Sequence, residues 1–193
     1  MIPSSAVAVQ CVSLSQSFDD AIVRFRLGDG LFPHATIYMA RFEYSSLPAV
    51  RNTLQETISK LQPIKLIHSG YYQTPGQYIE VSYQRTEELL MLHHQVVQAV
   101  KRYRYKPKAP EYESFWGAYE DQQQKYAKQT GYDLAYDLYR PHITLTRYKE
   151  GRTPAEFPAF PQADLSFMLP KIALYKADAN GAIYEEVATF EIT

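Results

Sequence analysis

Two short stretches of the sequence set side chains that can move protons beside side chains that can hold an anion. They are Pro33-His34-Ala35-Thr36-Ile37-Tyr38-Met39 and Arg140-Pro141-His142-Ile143-Thr144-Leu145-Thr146-Arg147-Tyr148. In both, a His follows a proline and is followed two places on by Thr and then by an aliphatic residue. Extended backbone alternates its side chains, so His34, Thr36 and Tyr38 share one face and Ala35, Ile37 and Met39 the other. By the same rule His142, Thr144, Thr146 and Tyr148 share a face opposite Ile143 and Leu145. Thr is an ordinary strand former, so one such match would mean little. The information lies in the duplication, since the chain has only five His. His68, His93 and His94 lack the Thr and are expected in plain surface or core roles. Neighbouring residues diverge around a helix, so His93 and His94 do not suggest a metal site.

An imidazole titrates near 6.5, so a facing pair can accept one proton and donate another close to neutrality. A Thr two residues along the strand adds a hydroxyl about 7 Å away on the same face. Two hydroxyls flanking two imidazoles suit a phosphate group, Thr holding its outer oxygens and His working on the entering and leaving ones. Which His would play which part is open at this level.

These stretches need a scaffold. A chain of 193 residues with 46% apolar residues can bury one good core, and no break in composition asks for a second domain, so residues 1–193 are expected to form a single domain. A net charge of −1, from 20 basic and 21 acidic side chains, excludes bulk electrostatic coating of nucleic acid. The single Cys11 excludes a disulfide framework and a cysteine zinc site, and fits a reducing cytoplasm. The run from Ala6 to Val12 contains Gln10 and lacks a basic flank, so neither a signal peptide nor a membrane span is expected there. Val-rich Ala6–Ser13 instead suggests a first strand, and Ser17 suggests the cap of a short helix carrying Phe18, Ala21, Ile22 and Phe25. A His-bearing strand over about 34–42 follows. Then come a helix opened by Ser46-Leu47-Pro48 with the stripe Leu47, Val50, Leu54, Ile58 and Leu61, strands over 64–72 and 77–83 around Thr74-Pro75-Gly76, and a helix begun by Thr86 with Leu89, Leu92, Val96, Val97 and Val100 toward the core. A further helix is expected over about 112–128, stopping near Gly131. After it come the second His strand and a last strand pair, 165–175 and 183–192, joined across Asp178-Ala179-Asn180-Gly181.

The two His-x-Thr stretches, together with the terminal run Ile172–Ile192, resemble the two-histidine phosphoesterase superfamily, which contains 2′-5′ RNA ligase-like proteins and cyclic nucleotide phosphodiesterases. The resemblance spans nearly the whole chain, and the pair of motifs is specific where either alone is weak. It implies an α+β fold that is bilobal, with two mainly antiparallel sheets lining a central cleft and helices outside. It also implies chemistry without metal or cofactor on 2′,3′-cyclic phosphates or 2′-5′ phosphodiesters. Carried over by position, His34 and His142 become the acid/base pair, Thr36 and Thr144 the phosphate holders, and Arg147 a further phosphate contact. Strict alternation sets Arg147 on the face opposite His142, so that last role requires a twist or bulge.

The expected partner is a nucleotide or RNA end carrying a cyclic phosphate, acted on by a monomeric cytoplasmic enzyme away from membranes. Two alternatives stay open: a 2′-5′ ligase or phosphodiesterase on longer RNA, and a module that binds a nucleotide or RNA end without turnover. A serine hydrolase is disfavoured because the chain has no Gly-x-Ser-x-Gly elbow. Lys101–Lys108 alternates bases with Tyr103 and Tyr105 and could track RNA, but is first a solvated helix end whose cations complement the dipole. Tyr38 and Tyr148 are candidates to stack on a base, whereas Trp116 is expected to pack in the core.

Overall fold

The computed structural model describes residues 1–28, 30–106, 116–154, 157–160, 162–178 and 181–192. The chain is α+β, with four α-helices and three small antiparallel sheets among the described residues. It divides into two compact units, one built from Met1–Thr36, Pro63–Gln84 and Pro141–Ile192, the other from Ile37–Gln62 and Arg85–Arg140. Among the described residues no helix is long and apolar enough to cross a membrane.

The first unit contains helix α1 (Ser5–Gln16) and strands β1 (Lys65–Leu66), β2 (His68–Gln73), β3 (Tyr78–Tyr83), β4 (His142–Arg147), β5 (Phe167–Met168), β6 (Lys171–Ala177) and β7 (Ile183–Glu191). Strands β2, β3 and β4 form one sheet in that order, β1 pairs with β5, and β6 with β7. The two hairpins foreseen at Thr74–Gly76 and after Asp178 are present. Between β5 and β6 comes Leu169-Pro170, and Pro cannot donate to a ladder, so the single strand expected over 165–175 is cut in two.

The first fifty residues depart most from the sequence expectation. Ala6–Ser13 is not a strand but the middle of α1, whose N-cap Ser4 accepts a bond from Val7 N at 3.4 Å. Val7, Cys11 and Ser15 are buried at helical spacing while Val9 is 68% exposed, so a 3.6-residue period, not an alternation, governs this stretch. Packing of that stripe against β4 overrides the β preference of valine. Ser17 then ends α1 rather than starting a helix. Phe18–Phe25 makes a turn in which Asp19 O accepts from Ile22 N and Val23 N, after which Val23 bridges Tyr148 as an edge partner of the sheet. The expected strand over 34–42 reduces to isolated bridges, Ala35 to Ile143 and Phe42 to Arg104. Pro33 has no amide proton, and Ala35 N and O both bond to Met1, at 3.0 and 2.8 Å, so a regular ladder cannot run through this segment.

The second unit holds α2 (Leu47–Ile58), α3 (Glu87–Val100) and α4 (Asp121–Thr130). Val50, Leu54 and Ile58 of α2 and Leu89, Leu92, Val96, Val97 and Val100 of α3 are buried as the sequence indicates, whereas Leu47 and Leu61, at the two ends of the expected α2 stripe, are half-buried. Thr86 caps α3. Helix α4 begins at Asp121, later than the expected start, which lies outside the described residues, and ends on Gly131 at φ +84°. Trp116 is half-buried in a 3-10 turn with the Lys128 ammonium 5.1 Å from its ring, not a core residue. In the basic stretch, Lys101–Tyr103 continues α3 as a 3-10 turn, and Arg102 bonds and covers Tyr103.

At the centre of this unit His93 is fully buried and stacked on Tyr139 at 4.0 Å. Its Nδ1 donates to Ile37 O at 2.7 Å, and its Nε2 accepts from Tyr136 N at 2.8 Å, an arrangement that uses the neutral ring. Burial pushes its pKa down to about 4, against the opposing effect of the Ile37 carbonyl. A depressed histidine pKa means that the unfolded chain takes up the proton first, so this stability is complete above about 6.5 and is lost as pH falls through 4. The loss amounts to about 3 kcal/mol over that window. In an NMR titration, the His93 ring should stay neutral to about pH 4 while unfolding free energy declines below 6.5; a ring titrating near 6.5 would contradict this account.

Candidate active site

The geometry of the site begins with β3 and β4. Their register pairs Ser82 with His142, Val81 with Ile143 and Glu80 with Thr144, and then jumps to Ile79 with Thr146 and Tyr78 with Arg147. Leu145 is the extra residue, a β-bulge, and beyond it the alternation of β4 is reversed. Cross-strand partners share a face, so His142, Thr144 and Arg147 lie on one side with Ser82, Glu80 and Tyr78, while Ile143 and Thr146 lie on the core side with Val81 and Ile79. The bulge is what the alternation of the sequence could not reveal, and it puts Arg147 on the His142 face. It also removes Thr146 and Tyr148 from that face. Thr146 is buried with its Oγ1 donating to Phe25 O at 2.5 Å, and Tyr148 is 1% exposed with Phe18 edge-on at 6.1 Å.

A single serine holds the bulge from behind. Ser15 on α1 donates from Oγ to Leu145 O at 2.6 Å and accepts from Leu27 N at 2.7 Å, so two buried backbone groups depend on one hydroxyl.

The first motif lies against the other edge of β4. Ala35 and Ile143 form an antiparallel bridge, and that register sets His34 across from Thr144 and Thr36 across from His142. The four side chains therefore lie on the same side of the pairing, with His142 near enough to His34 to act on its charge. All four side chains are half-buried, while Ala35 and Ile143, pointing the other way, are fully buried. The four residues that the sequence singled out are brought together within one unit.

The two imidazoles have different surroundings. Nδ1 of His34 donates to Phe32 O at 2.9 Å, which puts the ring proton on Nδ1 and leaves Nε2 with the lone pair. Burial lowers the His34 pKa below its ordinary value; the Phe32 carbonyl opposes the shift, and the Met1 amine and His142 add to it. His142 instead has a carboxylate beside it, with Glu80 Oε1 at 3.5 Å from its Nε2 and Glu80 itself only 3% exposed. Glu80 was not singled out in the sequence. The signal was there in Tyr78-Ile79-Glu80-Val81-Ser82-Tyr83, where an acid sits between two core residues of a strand, but only the register ties it to His142.

Arg147 lies over the Tyr78 ring at 4.7 Å and donates from Nε to Gly76 O at 3.0 Å and from Nη1 to Tyr78 Oη at 3.3 Å. On β2, Gly70 pairs with Ser82 and Tyr72 with Glu80, so both join the His142 face. Gly70 has φ +118° and open space where a Cβ would stand, and Tyr72 is 44% exposed. The aromatic side chains on this face are thus Tyr72 and Tyr78, not Tyr148. Tyr38 belongs to the second unit and donates from its hydroxyl to Thr130 O. Among the described residues no three His, Cys, Asp or Glu side chains cluster in a way that could hold a metal ion.

Comparison with known proteins gives one family. The model of the 2′-5′ RNA ligase superfamily matches residues 13–181, which covers both His-x-Thr motifs. In the solved structures, the crystal structure of TT0787 of Thermus thermophilus superposes with a TM-score of 0.55 at 15% identity, over 99% of this chain and 93% of that one. At that identity the likeness concerns the fold. No curated protein matches.

Two outcomes are expected from this geometry. Ser15→Ala leaves the Leu145 carbonyl and the Leu27 amide buried and unbonded, and should lower unfolding free energy in urea by about 2–3 kcal/mol. A change under about 0.5 kcal/mol would show that the bulge does not depend on that hydroxyl. In an NMR titration, His34 should take up its proton at a pH below its ordinary value, and a midpoint at or above about 6.5 would contradict its desolvation.

Proposed function

The chain belongs to the 2′-5′ RNA ligase superfamily, and from that membership and the four facing side chains we propose that it is a phosphodiesterase that hydrolyses a 2′,3′-cyclic phosphate on a nucleotide or RNA end without a metal. One observation carries this reading: the bridge between Ala35 and Ile143 puts His34, Thr36, His142 and Thr144 on one side of the pairing. A phosphate set among them meets a hydroxyl donor and an imidazole from each motif. In hydrolysis, water bonds to phosphorus as one of the two ribose P–O bonds breaks. One imidazole takes the proton of the water, and the other returns a proton to the departing ribose oxygen. The product is a ribose phosphate monoester beside a free hydroxyl, and the pair of rings ends with its protons exchanged, ready to re-equilibrate with solvent. Thr36 and Thr144 steady the outer oxygens, and Arg147 adds a positive charge on the same face. Tyr72, about 10 Å from Thr144 across two strand spacings, is positioned to stack on the base of the substrate.

The family description favours a second reading. If a ribose hydroxyl replaces water, the same four side chains open or seal a 2′-5′ linkage on longer RNA. Two titratable rings on one face favour turnover over a module that only binds an RNA end.

The test is turnover of the four nucleoside 2′,3′-cyclic monophosphates in the presence of a chelator. Hydrolysis should persist with chelator, follow a bell-shaped pH profile, and fall by about 10²–10⁴-fold in both His34→Ala and His142→Ala with the fold retained. Loss of activity on chelation would refute the metal-free mechanism, and no turnover of any of the four would turn the assignment to 2′-5′ substrates.

A further inference from the structure

Nothing in the two motifs distinguishes one histidine from the other, but their surroundings do. Glu80 is a carboxylate 3% exposed on the central strand of its sheet, a location that is costly unless the charge is matched. Its Oε1 stands 3.5 Å from His142 Nε2, and its backbone pairs with Thr144, the residue across from His34. We propose that Glu80 is a positioning residue that orients His142 and stabilises positive charge on its ring during the reaction, so that His142 is the acid of the pair and His34 the base. The inference rests on the hydrolytic reading above for its catalytic half, while the coupling of Glu80 to His142 is independent of it.

The argument is electrostatic and geometric. A carboxylate beside an imidazole stabilises the ring in its positive form and fixes its orientation, as the buried acid does for the histidine of a catalytic triad. His34 has the opposite environment. Its Nδ1 proton is engaged by the Phe32 carbonyl, its Nε2 carries the lone pair, and burial disfavours a charge on it. The charged or titratable groups shown about the pair are Glu80 from β3 against His142, the Met1 amine and His142 against His34, and Arg147 further along the His142 face of β4. Of these only Glu80 is negative. In the step, His34 receives the proton of the attacking water and His142 gives its proton to the ribose oxygen whose bond to phosphorus breaks. The carboxylate keeps its charge throughout, so no further proton or co-reactant is needed.

The experiment compares the full chain with Glu80→Gln, which keeps the shape and removes the charge, and with Glu80→Asp, which keeps the charge. Imidazole NMR titration without substrate and the pH profile of kcat/KM are both recorded. In Glu80→Gln the His142 titration and the basic limb of the profile should both move to lower pH by about one unit, with His34 nearly unmoved, and Glu80→Asp should stay near the wild type. Turnover in Glu80→Gln should therefore be about tenfold lower above neutrality and recover toward the wild-type rate in acid. An unmoved His142 in Glu80→Gln would overturn the proposal. So would an unmoved basic limb with altered stability alone, the mark of a purely structural carboxylate. A wild type that titrates as expected but turns over no phosphodiester would sink the hydrolytic reading, and with it the acid and base roles, while leaving the coupling measured.

Discussion

The antiparallel register between Ala35 and Ile143 decides which side chains meet in this protein. Both residues are fully buried, and their bridge is isolated, flanked by no regular ladder. Because side chains alternate, turning Ala35 and Ile143 into the core turns His34, Thr36, His142 and Thr144 outward together. A slip of one residue would bury all four polar groups and expose both apolar ones, so the hydrophobic requirement of the core enforces the chemistry of the opposite face. The small side chain at position 35 also permits the close approach, with Met1 bonded to its backbone on the other side.

The second constraint is the bulge at Leu145. It separates β4 into a part that presents His142 and Thr144 and a part that presents Arg147, and it sends Thr146 and Tyr148 into the core. Bulges leave backbone groups that the ladder cannot satisfy, and an unbonded buried carbonyl is expensive. Helix α1 answers that need through Ser15, and the turn after Asp19 brings up the segment 23–27 that covers the far end of β4. Within the first unit, the segment before the first motif thus supports the face that carries His142 through backbone and hydroxyl bonds.

Charge then separates the two histidines. One ring is desolvated and committed at Nδ1 to a carbonyl, and the other stands beside a buried carboxylate. The proposed division into an acid and a base rests on such an asymmetry, since two identical environments would leave both rings with the same preference. The fully buried His93 shows the contrasting use of the residue. Both its nitrogens are spent on backbone groups and its ring is stacked, which makes it a strut of the second unit.

Much of this was legible in the chain itself. The paired His-x-Thr stretches, the stripes of α2 and α3, the Thr86 cap and the two hairpin turns are local patterns, in which propensity, periodicity and packing agree. The family also follows from such patterns, because the motifs recur with their spacing and order of elements. What local pattern could not supply was decided by partners distant in sequence. Val-rich Ser5–Gln16 became a helix because β4 offered its stripe a surface, and the strand expected after Pro33 broke into bridges because Met1 and Ile143 share its backbone. Arg147 joined the site and Tyr148 left it because one extra residue in β4 reversed the alternation. Glu80 acquired its place beside His142 from the β3–β4 register alone. The sequence by itself determined which reactive side chains exist and which local elements carry them. Only the tertiary structure decided which of them face one another, because register, bulges and the burial of a charge arise from pairing between segments far apart in the chain.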